Sequence, residues 1–269
     1  MLQFNRTLLL LVAWFLLCNA TPLSLTYKPV SCGTNTALLE DGLWAWFTFD
    51  NGSLRDQSGH NHDLRGEESL TVSKVQDCTG EALLFDGKGA CAVLDSGRVF
   101  PQGNFALSLS VYTDNNAQGR LFNRANYSNA LAASLTLGFE PEFNERLCFG
   151  VTSEVNVCHN YSDLHNTSAL FSEQKVSTSV WHEIVIQFEN GTQSLYVDGV
   201  LSGQAKTVQN SFSICPDAPF YFGKWWDSDP RYFVGRMDNI RIYTRGLTQD
   251  EIEMLYRSNR SANASFTVR

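Results

Sequence analysis

Beyond its first twenty residues, this sequence contains no apolar run long enough to span a bilayer. It also has no cluster of basic residues, and its 20 Lys and Arg side chains are outnumbered by 28 Asp and Glu side chains. Binding to a phosphate backbone depends on such basic patches, so nucleic acid is excluded as a partner. The polar tail, residues 258–269, lacks the hydrophobic end that directs a glycolipid anchor. We therefore expect no membrane span.

The long apolar run of the chain stands at its beginning. A single positive charge at Arg6 precedes residues 7–17, which are nearly all apolar, and Ala20 follows as a small residue. The run is too short for a membrane-spanning helix and has the layout of a secretory signal peptide. The sequence predicts a signal peptide over residues 1–20 and a secreted, extracellular protein.

Six of the seven cysteines lie after the predicted cleavage position. An even number of cysteines in a secreted chain is typical of disulfide bonds. Cys148 and Cys158 lie symmetrically about Ser153, so a hairpin turning at that serine would place them opposite each other. We predict a disulfide between these two cysteines, and the pairing of the other four stays open.

Asn-x-Ser/Thr sequons are frequent in the chain after the leader. A single sequon is weak evidence, but seven of them behind a signal peptide indicate a glycoprotein of the eukaryotic secretory route. The predicted glycosylation sites are Asn51, Asn126, Asn160, Asn166, Asn190, Asn259 and Asn263.

Short segments with period-2 alternation, bounded by turn residues, make up most of the remaining sequence. One of the clearest is Met237–Tyr243, and a single segment with helical spacing follows it. There Thr248 and Glu251 are spaced as a capping box, and Ile252 and Leu255 form an apolar stripe. More than ten short strands and one terminal helix predict an all-β fold, a two-sheet antiparallel β-sandwich with one short C-terminal helix.

The predicted sandwich occupies one domain. We expect an N-terminal arm over residues 21–41, the sandwich over residues 42–257 and a polar tail over residues 258–269. Within the sandwich, the turn residues Asp86–Gly89 lie between two apolar segments and predict a β-hairpin there.

Several motifs occur in an order that resembles a known family. An aromatic strand ending in Phe-Asp, Leu43–Asp50, precedes an Asp-x-Ser-Gly-x-x-x-Asp loop at Asp56–Asp63. Ala82–Gly87, Leu195–Gly199 and then the closing strand with its helix follow at the expected places. Together they resemble the laminin-G-like jelly-roll domains of the concanavalin A-like lectin/glucanase superfamily. The resemblance runs over nearly the whole mature chain and implies a jelly-roll fold, although function lies in sites grafted onto such folds.

The resemblance also implies a calcium site, because many relatives hold calcium near the loop and the closing strand. Asp50, Asp56 and Asp238 are the candidate ligands, since Ca²⁺ takes carboxylate and carbonyl oxygens. Relatives have a second aspartate where this chain has Asn239, which removes one charge and would weaken the affinity. A bound calcium would tie the loop to the sheet, in a structural role. In the alternative interpretation, Asp50 forms a turn and Asp238 pairs with a nearby arginine.

The loop Lys224–Tyr232 is the best candidate for ligand binding. Trp225 and Trp226 are adjacent, so on an extended segment they point to opposite sides and cannot both enter the core. An exposed tryptophan can stack on a sugar ring, and the candidate partners for its hydroxyls are Asp227, Asp229 and Arg231. The alternative is that one tryptophan packs in the core and the other covers the end of the sandwich.

Signatures of catalysis and of zinc binding are missing. The sequence has neither the Glu-x-Asp-x-x-Glu strand of the superfamily's glucanases nor a Gly-x-Ser-x-Gly turn, so we expect no enzyme. His60 and His62 have no third histidine or cysteine nearby to complete a zinc site. We expect a secreted binding module, a lectin or adhesion domain for an extracellular glycan or glycoprotein. The alternative is a protein–protein or structural role, and a glycoside hydrolase comes third.

Overall fold

The computed structural model shows a sandwich of two antiparallel sheets with a helix on the outside of one of them. The structure describes residues 39–67, 70–74, 80–94, 100–101, 103–115, 119–126, 132–139, 145–151, 169–207, 210, 219–225 and 231–259.

Within these residues the larger sheet, sheet A, has eight strands. Its order is β13 (Val200–Lys206), β12 (Thr192–Val197), β11 (Trp181–Glu189), β6 (Phe105–Thr113), β15 (Val234–Tyr243), β4 (Glu81–Asp86) and β3 (Thr71–Lys74), with β1 (Leu43–Phe47) also paired to β15. The smaller sheet, sheet B, has seven strands. Its order is β10 (Ala169–Phe171), β9 (Leu147–Val151), β8 (Ala132–Phe139), β7 (Gly119–Asn126), β14 (Phe220–Phe222), β5 (Cys91–Leu94) and β2 (Arg65–Glu67). The predicted two-sheet fold is confirmed.

The main core lies between the sheets and is rich in phenylalanine. Phe100 stacks on Phe220 with ring centres 4.6 Å apart, and Phe122 lies 5.5 Å from the same ring. These side chains are almost fully buried, and burial of each stabilises the fold by about 1.5–3 kcal/mol. Alternation sends every second residue of a strand into this core and the others to the outer faces, where both candidate sites lie.

Strand β15 organises sheet A because it pairs with three other strands. Its first part, from Val234 to Met237, pairs with β4, and its last part, up to Tyr243, pairs with β1. A register shift against β6 between Asp238 and Arg241 separates the two parts, and Asn239 there has a positive φ of 49°. Such a bulge bends a strand and allows it to change partner. The first and last strands of the domain are therefore neighbours.

Helix α1 (Gln249–Ser258) packs on the outer face of sheet A. It begins with the predicted capping box, in which the Thr248 side chain accepts from Glu251 N and the Glu251 carboxylate accepts from Thr248 N. Arg245 holds the same carboxylate through two nitrogens, at 2.9 and 2.6 Å. Ile252 and Leu255 are buried against the sheet, as their spacing predicted.

The predicted hairpin at Asp86–Gly89 is wrong. Strand β4 enters sheet A and β5 enters sheet B, so the turn joins the two layers of the sandwich. Asp86 Oδ1 accepts hydrogen bonds from Lys88 N, Gly89 N and Ala90 N, at 2.8, 3.3 and 3.3 Å. This turn chemistry reverses the chain, but it does not specify which sheet the next strand joins.

The predicted signal peptide and most of the predicted arm and tail lie outside the described residues. Among the residues that are described, no helix has the length and apolar character needed to cross a bilayer.

Candidate functional site

Trp225, at the start of the predicted ligand loop, is buried rather than available to a ligand. It is 1% exposed, and the guanidinium of Arg120 lies 4.3 Å from its ring centre. The carbonyl oxygen of Trp225 accepts a hydrogen bond of 3.1 Å from Asn123 Nδ2. Trp225 therefore follows the alternative interpretation, in which one tryptophan of the pair packs inside, and it does not offer its face to a sugar.

The other predicted loop residues divide between described and undescribed positions. Trp226, Asp227 and Asp229 lie outside the described residues. Arg231 is half-buried, and its carbonyl oxygen accepts a hydrogen bond of 3.0 Å from Arg120 N. Arg120 thus contacts Trp225 through its side chain and Arg231 through its backbone N–H.

Buried cations and aromatic rings surround the base of this loop on sheet B. Lys224 Nζ lies 4.6 Å from the ring centre of Tyr221 and 3.4 Å from Glu67 Oε2. On the core side of sheet B, Arg124 lies 4.3 Å from the ring centre of Phe220, and burial lowers the pKa of its guanidinium to about 10. At the loop itself the Lys224–Tyr221 and Arg120–Trp225 contacts hold the chain, because each cation lies against the negative face of a ring.

The structure does not bring the three predicted calcium ligands together. Among the described residues no three His, Cys, Asp or Glu side chains are grouped as a metal site requires. Asp50 is exposed in the 3₁₀ turn Asp50–Gly52. Asp238 is 0% exposed on β15, and its two oxygens accept from Asn239 N and Asn239 Nδ2, at 2.7 and 3.1 Å.

Asp56 has a structural role that the sequence analysis did not foresee. Its Oδ1 accepts from Trp46 N and Ser58 N, at 3.0 and 2.8 Å, and its Oδ2 accepts from Ser58 Oγ and His62 N, at 2.8 and 3.0 Å. Burial alone would raise the pKa of Asp56, but these hydrogen bonds outweigh it and lower the pKa. A carboxylate whose oxygens already face N–H and O–H donors does not fit a calcium ion. Calcium binding itself stays a prediction.

The two loop histidines also lie in ordered contacts. The ring of His62 stacks on Trp44 with the ring centres 3.7 Å apart, and its backbone N–H donates to Asp56. His60 is exposed at the end of the same loop. The loop is therefore held to β1 by its own hydrogen bonds and one aromatic stack.

Cys148 lies inside strand β9 as a buried free thiol, and burial raises the pKa of that thiol to about 11. Its neighbours across the sheet are Gly138 on β8 and Phe171 on β10. The predicted disulfide between Cys148 and Cys158 stays a prediction. The predicted partner, Cys158, lies outside the described residues.

The predicted glycosylation sites differ in their surroundings. Asn51 and Asn190 are exposed in turns, whereas Asn259 ends helix α1 and donates its Nδ2 to Glu183 Oε2 at 2.8 Å. The side chain of Asn126, together with Asn160, Asn166 and Asn263, lies outside the described part of the structure. Glycosylation stays a prediction at all seven positions.

A Ser–His–Asp group that sequence reasoning missed lies at one end of sheet A. Ser177 Oγ is 2.9 Å from His182 Nε2, and His182 Nδ1 is 2.8 Å from Asp198 Oδ2. The same Nε2 is also 3.2 Å from the Ser177 carbonyl, and Asp198 Oδ1 accepts from Glu183 N at 3.0 Å. These extra contacts fasten the loop before β11 to the β12–β13 turn, which is a structural task. No motif around Ser177 signals the group.

A cavity of about 180 Å³ lies on the outer face of sheet A. Its wall includes Trp46 from β1 and Arg241 from β15, which are paired across the two strands, and the guanidinium lies 4.8 Å from the centre of the Trp46 ring. The remaining lining residues come from the segment before β1 and from the Asp56 loop: Leu39, Glu40, Leu43, Gln57, Ser58 and His60. A stacking ring, a cation and several hydrogen-bonding side chains therefore meet around one cavity.

The sequence matches the model of a known protein family. A family model described as the concanavalin A-like lectin/glucanases superfamily, Laminin_G_3, matches residues 85–253, which is more than half of the chain. The chain belongs to this superfamily. The resemblance that the motifs predicted is confirmed. A search of curated proteins gave no match.

This superfamily member shares its fold with several solved structures. Domain 4 of AbnA, a GH43 extracellular arabinanase from Geobacillus stearothermophilus solved with arabinotriose, is 20% identical with a TM-score of 0.59, over 80% of this chain and 98% of that one. The binding domain of Paraclostridial Mosquitocidal Protein 1 is 15% identical with a TM-score of 0.61, over 82% of this chain and 53% of that one. The receptor binding domain of botulinum neurotoxin D is 12% identical with a TM-score of 0.60, over 81% and 53%. The chain thus spans about half the length of the two toxin domains, and at these identities the likeness shows the fold alone.

Proposed function

We propose that this protein is a secreted carbohydrate-binding module that recognises an extracellular glycan or glycoprotein without catalysis. The observation that carries the proposal is the shared fold with a domain solved in complex with arabinotriose, of which the match covers 98%. Membership of the lectin/glucanase superfamily supports it, and the signal peptide and sequons predicted from the sequence support secretion.

The loop between Lys224 and Tyr232 remains the proposed ligand-binding segment. Trp225 serves as its buried anchor, and the residues proposed to contact the glycan are Trp226, Asp227, Asp229 and Arg231. The support comes from Arg120, whose side chain stacks on Trp225 and whose backbone N–H donates to Arg231. A loop whose two ends are fixed loses less conformational entropy on binding, which favours affinity.

A glycan array probed with the mature chain tests this proposal, with arabinan oligosaccharides included as probes. We expect binding to at least one glycan, and we expect Trp226→Ala to weaken it at least tenfold without lowering the melting temperature. The matched control is Trp225→Phe, which should lower the melting temperature and leave the glycan preference unchanged. Absence of any glycan signal from a folded mature chain would contradict the proposal.

A protein-binding role is the second candidate, and an apolar surface favours it. Val180, Val200 and Leu201 are 46%, 68% and 43% exposed, and the His182–Asp198 contact joins the two segments that carry them. A partner protein recovered from extracellular fluid by the wild-type chain and lost with Val200→Asp would favour this role over glycan binding.

Catalysis is tested at Ser177, the serine of the Ser–His–Asp group. Because its histidine and aspartate also brace the backbone, we expect no reaction with a fluorophosphonate probe. Labelling of the wild-type chain that disappears in Ser177→Ala would instead establish a hydrolase and contradict the proposed function.

A further inference from the structure

Arg241 carries a positive charge that is almost completely buried. Its side chain is 6% exposed, and its Nη1 atom is hidden from solvent without a hydrogen-bond partner. Burial lowers the pKa of this guanidinium more than the nearby Tyr243, Glu183 and Asp238 side chains raise it. None of these groups forms an ion pair with Arg241 in the described part of the chain. A buried charge in this state is costly, and an incoming anion would relieve the cost.

An aromatic side chain borders the same cavity. Trp46 lies across from Arg241 on β1, and its Nε1 is also buried without a hydrogen-bond partner. Both residues line the cavity, so a buried positive charge and one aromatic side chain border it. Gln57 and His60 at the rim are exposed and are able to reach further polar groups. Donors and a positive charge together select a ligand with acceptor oxygens and a negative charge.

The size of the cavity limits the ligand. A volume of about 180 Å³ is several times the share of ~30 Å³ that one water takes in the liquid. It is smaller than the ~300–1,000 Å³ of pockets that enclose drug-sized molecules. The space is therefore suited to a single sugar ring or a smaller acid.

We propose that this cavity binds the carboxylate group of a small organic anion, which is either an acidic monosaccharide or a simple acid. The carboxylate accepts from the guanidinium of Arg241 beside the Trp46 ring, and a sugar ring, where present, lies against the rim. Glu40 is the carboxylate among the lining residues, and it is exposed.

Isothermal titration of the mature chain with glucuronate, glucose and acetate tests the proposal. Glucuronate and glucose share a ring and differ by the carboxylate, so we expect glucuronate to bind at least tenfold more tightly, about 1.4 kcal/mol. Acetate that binds as well as glucuronate identifies a simple acid as the ligand class, and much weaker acetate binding identifies an acidic sugar. Glu40→Gln should strengthen glucuronate binding several-fold, because it removes a like charge from the cavity.

Arg241→Met is the decisive variant, because it keeps an unbranched chain over Trp46 and removes the charge. We expect it to abolish the preference for glucuronate and to keep or raise the melting temperature. Arg236→Met is the matched control. Arg236 lies on β15, as Arg241 does, and its guanidinium is 4.8 Å from the ring centre of Tyr112. This variant should leave the preference for glucuronate unchanged. Should Arg241→Met fail to fold, Trp46→Phe replaces the indole with a smaller ring, which loosens the stack that holds the guanidinium at the cavity and should weaken glucuronate binding.

Three results would overturn the proposal: equal affinity for glucuronate and glucose, no binding of either glucuronate or acetate, or a preference for glucuronate that persists in Arg241→Met. The site is independent of the loop on sheet B, so Trp226→Ala should leave glucuronate binding unchanged. Loss of glycan-array binding in Trp226→Ala and loss of glucuronate binding in Arg241→Met therefore report on separate proposals.

Discussion

Two faces of this sandwich carry the same pair of side chains, an arginine stacked on a tryptophan. On sheet B the guanidinium of Arg120 lies 4.3 Å from the ring centre of Trp225, and on sheet A that of Arg241 lies 4.8 Å from Trp46. Trp225 is buried, whereas Trp46 is half-buried and lines a cavity. The difference teaches that such a stack is a structural anchor where it is covered and a candidate binding element where a cavity reaches it.

The largest expected effect comes from removing the two tryptophans in turn. Trp225→Ala should cost about 3–5 kcal/mol of unfolding free energy, because a large buried ring is lost. Trp46→Ala should cost clearly less, since part of that ring already faces solvent. Urea denaturation of the two variants measures the difference, and equal losses would remove the distinction between the two stacks.

The loop beside Trp46 provides the next test. Because the folded pKa of Asp56 lies below its ordinary value of 3.8, its stabilisation is complete above pH 3.8 and is lost as pH falls through the folded pKa. Asp56→Asn should therefore cost about 1–3 kcal/mol at pH 7 and flatten the decline of the melting temperature below pH 3.8. Asp63→Asn is the control, because its amide oxygen is still able to accept from Asp56 N.

The wild-type chain and Asp56→Asn also test whether Asp56 acts by hydrogen bonding or by binding calcium. If Asp56 acts only through its hydrogen bonds, a chelator should leave the melting temperature of the wild-type chain unchanged. A chelator that lowers this temperature in the wild type and not in Asp56→Asn would show a calcium ligand.

A smaller effect is expected at Glu183, which lies on the outer face of sheet A near Arg241. Burial raises the pKa of Glu183, more than the hydrogen bonds from Asn259 and Ser110 lower it. The folded state then binds this proton more tightly than the unfolded state, so stability falls as pH rises above the ordinary value of 4.5. Glu183→Gln should raise the unfolding free energy by about 1 kcal/mol at pH 7 and leave it unchanged near pH 4. A loss at pH 7 would show that the carboxylate is required on this face.

The smallest effect concerns glycan occupancy rather than stability. Asn259 Nδ2, the atom that a glycan would modify, donates to the buried Glu183 carboxylate, whereas Asn51 and Asn190 are exposed in turns. Peptide mapping after enzymatic deglycosylation in ¹⁸O-labelled water should find label at Asn51 and Asn190 and none at Asn259. Full occupancy of Asn259 would mean that the end of α1 separates from the sheet in the secreted protein.

Local sequence patterns were sufficient to predict most of the fold. Alternation predicted a strand over Met237–Tyr243, which lies within β15, and the spacing of Thr248 and Glu251 predicted the start of the helix. These features depend on neighbours a few residues apart. The Asp86–Gly89 turn was misjudged because the choice between a hairpin and a change of sheet depends on distant strands.

The candidate sites were less accessible to sequence reasoning for the same reason. Asp56 and Asp238 were grouped because the family resemblance implies a calcium site near the loop and the closing strand, but their partners are decided by individual hydrogen bonds. The pairing of Trp46 with Arg241 joins residues almost two hundred positions apart, and nothing near either residue predicts it. One signal was present: Arg241 alternates with Ile240 and Ile242, which placed it on the outer face.

The pairing of β1 with the end of β15 has a consequence for how the chain folds. Phe47 and Ile240 are opposite each other, so the opening strand has no edge to join until translation has passed residue 240. Contacts of such long sequence separation are closed late and slow the folding of β-sandwiches. During that interval β1, with its aromatic side chains, remains an unpaired apolar segment that is prone to aggregation. A chain truncated before β15 would therefore depend on chaperones rather than fold into a smaller sandwich.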